Sequence, residues 1–125
     1  MKPVPKLTVT RIFHFDAAHH LTSYHGKCER THGHTYRVDV SIKGCVGKEG
    51  LVLDFLILKD IVNRKVITFL DHTDLNLQFS QPSAENIAIW IWDQIQDDIQ
   101  QLGVELKEVR VYETPSNFVS YQGGE

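Results

Sequence analysis

The feature that most constrains the fold of this chain is the regular alternation of apolar and polar side chains from His34 to Ile42. Because successive side chains of a β-strand point to opposite faces, this pattern predicts a strand with one buried face. The apolar positions are Tyr36, Val38, Val40 and Ile42. The stretch Leu7–Asp16 is rich in β-branched and aromatic residues and predicts a partner strand, antiparallel to the first.

Two helices and two further strands are predicted downstream. Asp54 is a suitable N-cap for a helix over about Phe55–Phe69, and a second helix begins near Ser83 and stops at Gly103. The second helix has an apolar stripe at intervals of three and four residues. Its members are Ile87, Ile91, Ile95, Ile99 and Leu102. The other predicted elements are strands at Val104–Glu113 and Phe118–Gln122, loops at 21–31 and 71–81, and a short extended piece at 51–54.

These elements define an α+β fold of order ββααββ, in which an antiparallel four-stranded sheet has two helices on one face. The opposite face of the sheet has no cover within one chain, so we expect self-association. Trp90 and Trp92 lie in the second helix. We expect both in the core or an interface, because a helical aromatic pair more often packs than binds a ligand.

Length and charge exclude several classes of function. With 125 residues the chain is expected to form one domain, 1–125, whose core needs no disulfide or metal. The net charge of −3 and the lack of a basic stripe argue against nucleic acid as a partner. No apolar run approaches the roughly 18 residues that span a bilayer, and the first residues lack the apolar segment of a signal peptide. We therefore expect a cytoplasmic protein with free thiols at Cys28 and Cys45.

The histidines predict a metal site. His32 and His34 are two residues apart and share a face of the predicted strand, so both imidazoles can reach one ion. A third ligand is expected from His19 or His20, which point to opposite faces, and the spacing alone does not choose between them. Three imidazoles favour zinc with one open coordination position, which is typical of a catalytic site.

Three other segments carry candidates for proton chemistry. Cys28 has cationic neighbours that favour its thiolate form, although a free cysteine is more commonly a small buried hydrophobe. Asp71 can orient and polarise His72, although such dipeptides are common and Asp74 lies nearby. Glu113 ends a predicted strand. If buried, its carboxylate would suit a ligand with adjacent N–H donors; otherwise it is a solvated edge residue.

Six short motifs occur in order over nearly the whole chain. They are Phe13–His19 (FHFDAAH), Cys28–His34 (CERTHGH), Gly50–Phe55 (GLVLDF), Leu70–Asn76 (LDHTDLN), Pro82–Asn86 (PSAEN) and Tyr112–Thr114 (YET). Together they resemble the motifs of the 6-pyruvoyltetrahydropterin synthase family, which includes the 6-carboxytetrahydropterin synthase of the queuosine pathway. Ser83 departs from the family's threonine but keeps a hydroxyl.

The resemblance implies the tunnelling fold (T-fold), in which three ββααββ subunits close a twelve-stranded barrel and two trimers stack as a hexamer. Active sites of the family lie between subunits. The resemblance also implies a Zn²⁺ cofactor and selects His19, rather than His20, as the ligand beside His32 and His34.

The resemblance assigns further roles. It makes Cys28 the proton acceptor, with Asp71 and His72 as its proton relay. It makes Glu113 the anchor of the pterin ring and also includes Glu113 in that relay. The substrate-binding residues it implies are Glu113, Ser83 and Glu85. The implied reaction starts from 7,8-dihydroneopterin triphosphate, loses triphosphate and yields 6-pyruvoyl- or 6-carboxytetrahydropterin, with zinc as a Lewis acid.

Glu29 adds an alternative activity. The segment Glu29–His34 also resembles the E-x-x-H-G-H motif of a divergent branch that lacks the cysteine and uses glutamate as its base. That branch cleaves the side chain to 6-hydroxymethyl-7,8-dihydropterin for folate synthesis. Cys28 and Glu29 are both present here, as in a subgroup associated with both activities; the plainer alternative is that Glu29 is a polar loop residue.

Two other function classes compete with a pterin lyase. In a noncatalytic pterin- or metal-binding module the catalytic residues would be vestigial, which the joint presence of Cys28, Asp71, His72 and Glu113 disfavours. An unrelated zinc hydrolase would also use an open zinc position. No separate oxyanion-hole or general-base motif supports that class.

Overall fold

The computed structural model describes residues 4–19 and 32–124, apart from the side chain of His32. The elements of this part are β1 (Lys6–His19), β2 (His32–Cys45), α1 (Phe55–Val62), a π-helical segment (Asn63–Ile67), α2 (Thr68–Leu70), β3 (Thr73–Asp74), a 3₁₀ turn (Leu75–Leu77), α3 (Ala84–Gln101), β4 (Glu105–Thr114) and β5 (Asn117–Tyr121). The predicted α+β class and the order of the four long strands and two main helices are confirmed.

The sheet has the strand order β3-β1-β2-β4-β5. β1 and β2 are antiparallel along their whole length, with a register that runs from Lys6 opposite Cys45 to His19 opposite His32. β4 pairs antiparallel with β2, and β5 with β4, with one register irregularity in each pairing. The end of β1, the start of β2 and the end of β4 therefore lie at the same end of the sheet.

The structure adds a fifth strand where a loop is predicted at 71–81. Thr73 and Asp74 form a two-residue strand parallel to β1, opposite Ala17 and Ala18. Two residues are too few to produce an alternation that a sequence could display. The extended piece predicted at 51–54 is wrong, since that segment bends just before α1.

The predicted first helix is one helical stretch with a local change of hydrogen bonding. Asp54 is its N-cap, as predicted, and accepts a hydrogen bond from the N–H of Leu56 at 2.8 Å. At the start of α2, just after the π-helical segment, the hydroxyl of Thr68 donates to the carbonyl of Asn63 at 2.8 Å. No helix within 4–19 or 32–124 combines the length and apolar character that crossing a bilayer requires.

The core lies between the helices and one face of the sheet. The second half of β1 contributes Phe13, Phe15 and Ala17 to it, and β2 contributes Tyr36, Val38, Val40 and Ile42, which confirms the alternation of β2. The stripe of α3 is buried at Ile87, Ile91, Ile95 and Ile99, whereas Leu102 is 42% exposed because it is the C-cap residue. Trp92 is buried and Trp90 is partly buried against the core, as predicted.

The opposite face of the sheet carries polar pairs and exposed apolar residues. Thr10 and Ser41 share a hydrogen bond of 2.7 Å, and the guanidinium of Arg37 binds both carboxylate oxygens of Asp39 at 2.8 and 3.0 Å. Ile12 is 47% exposed on this face. Within the described part of one chain, no helix or strand packs on this face of the sheet. This agrees with the prediction that both helices lie on the other face.

Gly123 follows β5 at a position that requires glycine. Its φ is +78°, and a Cβ there would overlap Cζ2 of Trp92. We expect Gly123→Ala to lower the free energy of unfolding by about 2 to 4 kcal/mol, the combined cost of a left-handed backbone and of overpacking. Urea denaturation measures this loss. Gly124→Ala is the matched control: its φ is +84° but no atom lies within 4 Å, so about 1 kcal/mol is expected. Equal losses in the two variants would contradict the steric argument.

Candidate functional site

Two imidazoles and one carboxylate converge at one end of the sheet. Nε2 of His19 lies 3.3 Å, and Nε2 of His34 lies 3.4 Å, from Oε1 of Glu113. The three residues stand on the helix-facing side of β1, β2 and β4, because the alternation that fills the core continues to the strand ends. His19 is 2% exposed, His34 21% and Glu113 33%, so the group opens to solvent at His34 and Glu113.

Tyr36 holds His19 from within the core. Its hydroxyl oxygen lies 2.6 Å from Nδ1 of His19, and its ring stacks on Phe15 with centroids 4.8 Å apart. Burial, and secondly the negative charge of Glu113, raises the pKa of the Tyr36 phenol above its ordinary value. The hydroxyl therefore keeps its proton at neutral pH. Because one ring nitrogen of His19 is engaged inside the core, the other faces Glu113.

A second group forms where β1 meets the segment before β3. The N–H of Asp16 donates to Oδ1 of Asp71 at 2.9 Å, and the carbonyl of Asp16 accepts from the N–H of His72 at 2.6 Å. The hydroxyl of Thr35 donates to Oδ1 of Asp16 at 2.6 Å. His72 has a φ of 58°, in the left-handed region that few non-glycine residues adopt. The contacts with the main chain of Asp16 thus hold Asp71 and His72 against the end of β1.

The imidazole of His72 faces solvent. Its side chain is 78% exposed, and its Nε2 lies 3.5 Å from Oδ2 of Asp71, which is an ion-pair distance but too long for a good hydrogen bond. An exposed imidazole beside a carboxylate can accept or release a proton at a ligand. The side chains of Asp71 and His72, the pair predicted from the sequence, therefore lie near each other, and the imidazole of His72 is accessible to a ligand.

Residues 33–35 of β2 separate two clefts. One has a volume of about 590 Å³ and is bordered by Asp16, His72 and His34. The other has a volume of about 560 Å³ and is bordered by His34, Tyr112 and Glu113. His34 therefore borders both clefts, one of which is also bordered by Glu113 and the other by His72.

The described part of the chain includes only some of the predicted metal ligands and bases. His32 lies opposite His19 in the strand register, so its backbone is at the same end of the sheet, while its side chain lies outside the described residues. Cys28 and Glu29 also lie outside the described residues, as does His20.

Ser83 has a structural contact in the described chain. Its Oγ accepts a hydrogen bond from the N–H of Asn86 at 3.1 Å and caps α3, while Glu85 is exposed in the first turn of that helix. The predicted contacts of Ser83 and Glu85 with substrate stay predictions.

Two substitutions separate capping from substrate binding at Ser83. Ser83→Ala should lower the free energy of unfolding by about 1 kcal/mol, because the cap of α3 is lost. Ser83→Asp should keep that stability, since aspartate also caps a helix. Thermal unfolding checks both values, and the KM of each variant is the second measurement. If the hydroxyl also binds substrate, KM rises in both variants; if it only caps, Ser83→Asp keeps the KM of the wild type.

Three residues of the site did not stand out in the sequence. Tyr36 is predicted only as a core residue, yet its spacing from His34 places both on one strand face, and this was the available signal. Asp16 and Thr35 act through a contact between strands and through contacts with a distant segment. No spacing along the chain reveals such contacts.

The donor atoms at the sheet end fit a metal ion. One ligand atom from each of His19, His34 and Glu113 lies within 4.8 Å of the others. Imidazole nitrogens with or without a carboxylate are the ligands of catalytic zinc, with a position left open for substrate. Asp16, Asp71 and His72 meet the same distance criterion, but the first and last are exposed.

The fold and this group define the class of protein: an α+β protein with an imidazole–carboxylate site at the end of an antiparallel sheet. Residues 8–124 match the family model described as 6-pyruvoyl tetrahydropterin synthase. This chain belongs to the 6-pyruvoyl tetrahydropterin synthase family.

Relatives in this family carry the names of different pterin reactions. A putative 6-carboxy-5,6,7,8-tetrahydropterin synthase of Archaeoglobus fulgidus is 42% identical over 99 residues, which cover 79% of this chain and 81% of the relative. A dihydroneopterin monophosphate aldolase of Pyrococcus furiosus is 39% identical over 99 residues, 79% of this chain and 82% of the relative. The solved structure of Caenorhabditis elegans 6-pyruvoyl tetrahydropterin synthase matches with a TM-score of 0.87 at 28% identity, covering 99% of this chain and 100% of that one. This likeness confirms the predicted T-fold.

Proposed function

We propose that this chain is a pterin lyase that acts on 7,8-dihydroneopterin triphosphate with loss of triphosphate. The product is 6-pyruvoyltetrahydropterin, or 6-carboxytetrahydropterin when water is also taken up and the two terminal side-chain carbons leave as a two-carbon aldehyde. The convergence of His19, His34 and Glu113 in a member of the pterin synthase family carries the proposal. It unites metal-binding nitrogens with a carboxylate that can accept two adjacent N–H groups of a pterin ring.

We assign His19, His32 and His34 as the residues that hold zinc. The nearness of the Nε2 atoms of His19 and His34 to one carboxylate oxygen supports this assignment, as does the position of His32 opposite His19. Zinc, when bound, supplies a Lewis acid for the side-chain oxygens of the substrate.

The proton chemistry is assigned to Cys28 and to the pair Asp71 and His72. Cys28, as a thiolate, accepts a proton from a side-chain carbon of the substrate. His72 passes that proton on, and Asp71 stabilises the charged imidazole. The exposure of His72 in the cleft that reaches His34 supports this role. Asp16 holds His72 through the main-chain N–H of His72, which leaves the imidazole available, and holds Asp71 through one carboxylate oxygen.

Glu113 is assigned to the pterin ring. It is 33% exposed and borders the cleft beside Tyr112, so a planar ring can reach its carboxylate. Because Oε1 also lies within 3.4 Å of both imidazoles, a ring bound to Glu113 brings its side chain next to His19 and His34. The substrate is thereby held at both ends. Ser83 and Glu85 complete the proposed substrate-binding set.

The proposed assembly is a homohexamer, a dimer of trimers with active sites between subunits. The uncovered sheet face, with Ile12 47% and Phe118 46% exposed, supports association through this layer. Light scattering after size exclusion should give six times the chain mass of 14.3 kDa, about 86 kDa. A particle of 14 kDa that is fully active would contradict both the assembly and the shared sites.

The direct test is to incubate the zinc-loaded protein with 7,8-dihydroneopterin triphosphate and to separate the products by mass. We expect inorganic triphosphate together with a carboxy or pyruvoyl product. Protein stripped of metal by a chelator is the control and should leave the substrate unchanged. If 6-hydroxymethyl-7,8-dihydropterin were the sole product, the proposed reaction would be wrong.

A second candidate function has its own support. The relative named dihydroneopterin monophosphate aldolase is 39% identical, and Glu29 follows Cys28 directly. In this alternative Glu29 is the base, and the side chain is cleaved to 6-hydroxymethyl-7,8-dihydropterin and a two-carbon aldehyde. A parallel assay with dihydroneopterin monophosphate separates the two candidates, because an enzyme specific for loss of triphosphate has no triphosphate to remove from it.

A further inference from the structure

We propose that Tyr36 is a positioning residue for the metal ligand His19, and that its hydroxyl oxygen accepts the Nδ1 proton of the imidazole tautomer that can bind the ion. The inference rests on the metal site assigned under the proposed function. It concerns a residue that faces away from the clefts and that needs no contact with the pterin.

The contact between Tyr36 and His19 is short and fully inside the protein. The hydroxyl oxygen lies 2.6 Å from Nδ1, and the two side chains are 1% and 2% exposed. The Tyr36 ring is itself fixed, because it stacks on Phe15 at 8° to the plane of that ring. The hydroxyl is therefore a rigid partner for Nδ1 rather than an adaptable one.

The position of Tyr36 shows why a hydroxyl matters there. The next residues on the same face of β2 are Val38, Val40 and Ile42, all buried hydrocarbons. Phenylalanine would fill the same space in this apolar face without an oxygen. A buried ring nitrogen needs a hydrogen-bond partner, and the hydroxyl of Tyr36 supplies one to His19.

The bond has a chemical consequence for Nε2. A neutral imidazole carries one proton, on Nδ1 or on Nε2. When Nδ1 carries it, Nδ1 donates to the Tyr36 oxygen, and the lone pair of Nε2 is free for a cation. When Nε2 carries it, the Tyr36 hydroxyl donates to Nδ1 instead, and Nε2–H faces Glu113 at 3.3 Å. Binding of the ion at Nε2 therefore requires the first arrangement, in which the tyrosine oxygen acts as the acceptor.

The bond also aims the ring. The second ring nitrogen of a metal-bound histidine commonly donates to an acceptor that fixes its orientation, and removal of that acceptor lowers metal affinity about 10- to 100-fold. Tyr36 stands on one side of the His19 ring and Glu113 on the other. Without the hydroxyl, the ring of His19 loses the contact that points Nε2 at the ion.

The test measures zinc and Co²⁺ affinity of the full-length Tyr36→Phe variant by competition with a chromophoric chelator. We expect affinity for both ions to fall about 10- to 100-fold, and the visible spectrum of bound Co²⁺ to change with the altered ligand geometry. Tyr121→Phe is the matched control. It removes a hydroxyl whose partner is the carbonyl of Gly124 at 3.2 Å, and it should bind both ions like the wild type.

Each outcome has a separate meaning. If the wild type binds neither ion tightly, the proposed metal site itself fails. If the wild type binds and Tyr36→Phe binds equally well with the same Co²⁺ spectrum, the role of Tyr36 is overturned while the proposed function stands.

An experiment on the wild type covers the case in which Tyr36→Phe does not fold. Nitrogen-15 NMR of the zinc-loaded protein with labelled histidines should show a proton on Nδ1 of His19. The His19 resonance is assigned by its absence from the spectrum of an equally labelled variant in which His19 is substituted. A zinc-loaded protein in which Nδ1 of His19 carries no proton would overturn the proposal.

Discussion

His34→Ala is expected to remove the stoichiometric metal ion and to lower kcat/KM by about 1,000-fold or more. A Lewis acid contributes several kcal/mol to the stabilisation of developing charge, and each 1.36 kcal/mol corresponds to a factor of ten in rate. His34 is the better target than His19, because it is 21% exposed whereas His19 is 2% exposed and is bound to Tyr36 in the core. Metal content by mass spectrometry and the triphosphate-release assay give the two readouts.

The control for this experiment is His14→Ala. His14 is an exposed histidine of β1 that points away from the helix-facing side. Its removal deletes an imidazole near the site and should leave the metal content of the purified protein at the wild-type level. Retention of one tightly bound zinc ion by His34→Ala, with wild-type affinity, would show that the imidazole pair does not hold the metal.

Cys28→Ala is expected to lower formation of the carboxy or pyruvoyl product by about 100- to 10,000-fold, the usual contribution of a positioned base. Glu29→Ala should leave that product and abolish any 6-hydroxymethyl-7,8-dihydropterin, because the two bases serve different cleavages. Both variants are assayed with the same substrate, and the products are quantified by mass. Each variant is the control of the other, since the two positions are adjacent.

The ratio of products decides between the two bases. A loss of both products in Cys28→Ala, with no effect of Glu29→Ala, would assign all proton abstraction to the thiol and leave Glu29 as a polar loop residue. If both single variants and the double variant keep wild-type turnover, neither residue is a base, and the proposed chemistry is wrong.

The long elements of the fold follow from local patterns. The alternation of β2 and the apolar stripe of α3 indicate which side of each element is buried. The N-caps Asp54 and Ser83 indicate where the two main helices begin. The π-helical segment and β3 were not predictable. Both depend on main-chain hydrogen bonds, such as the one from the N–H of His72 to the carbonyl of Asp16, and the pattern of side chains does not reveal such bonds.

The site was predictable to the extent that its residues lie in motifs. His19, His34 and Glu113 come from three different strands. The spacing predicts that His34 and one of His19 or His20 share a metal, the resemblance selects His19, and neither predicts the contact of Glu113 with these imidazoles. Their nearness in space follows from the antiparallel register, which brings the ends of three strands to one place. The hydrogen bond of Tyr36 to His19 has only its spacing from His34 as a signal in the sequence, and the contact of Thr35 with Asp16 has none, because a strand threonine is an ordinary residue in a sheet.

The contacts of Asp16 have a consequence for the length of β1. Asp16 contacts Asp71 and His72 through its main chain, His19 belongs to the imidazole group, and Asp16 and His19 lie three positions apart on one strand. At a rise of about 3.3 Å per residue this fixes a separation of about 10 Å between the two attachment points. One residue added or removed between them would change that distance and turn the imidazole of His19 to the opposite face of the sheet. An insertion or deletion at Ala17–Ala18 is therefore expected to separate the imidazole group from the pair Asp71 and His72, whichever residue is added or removed.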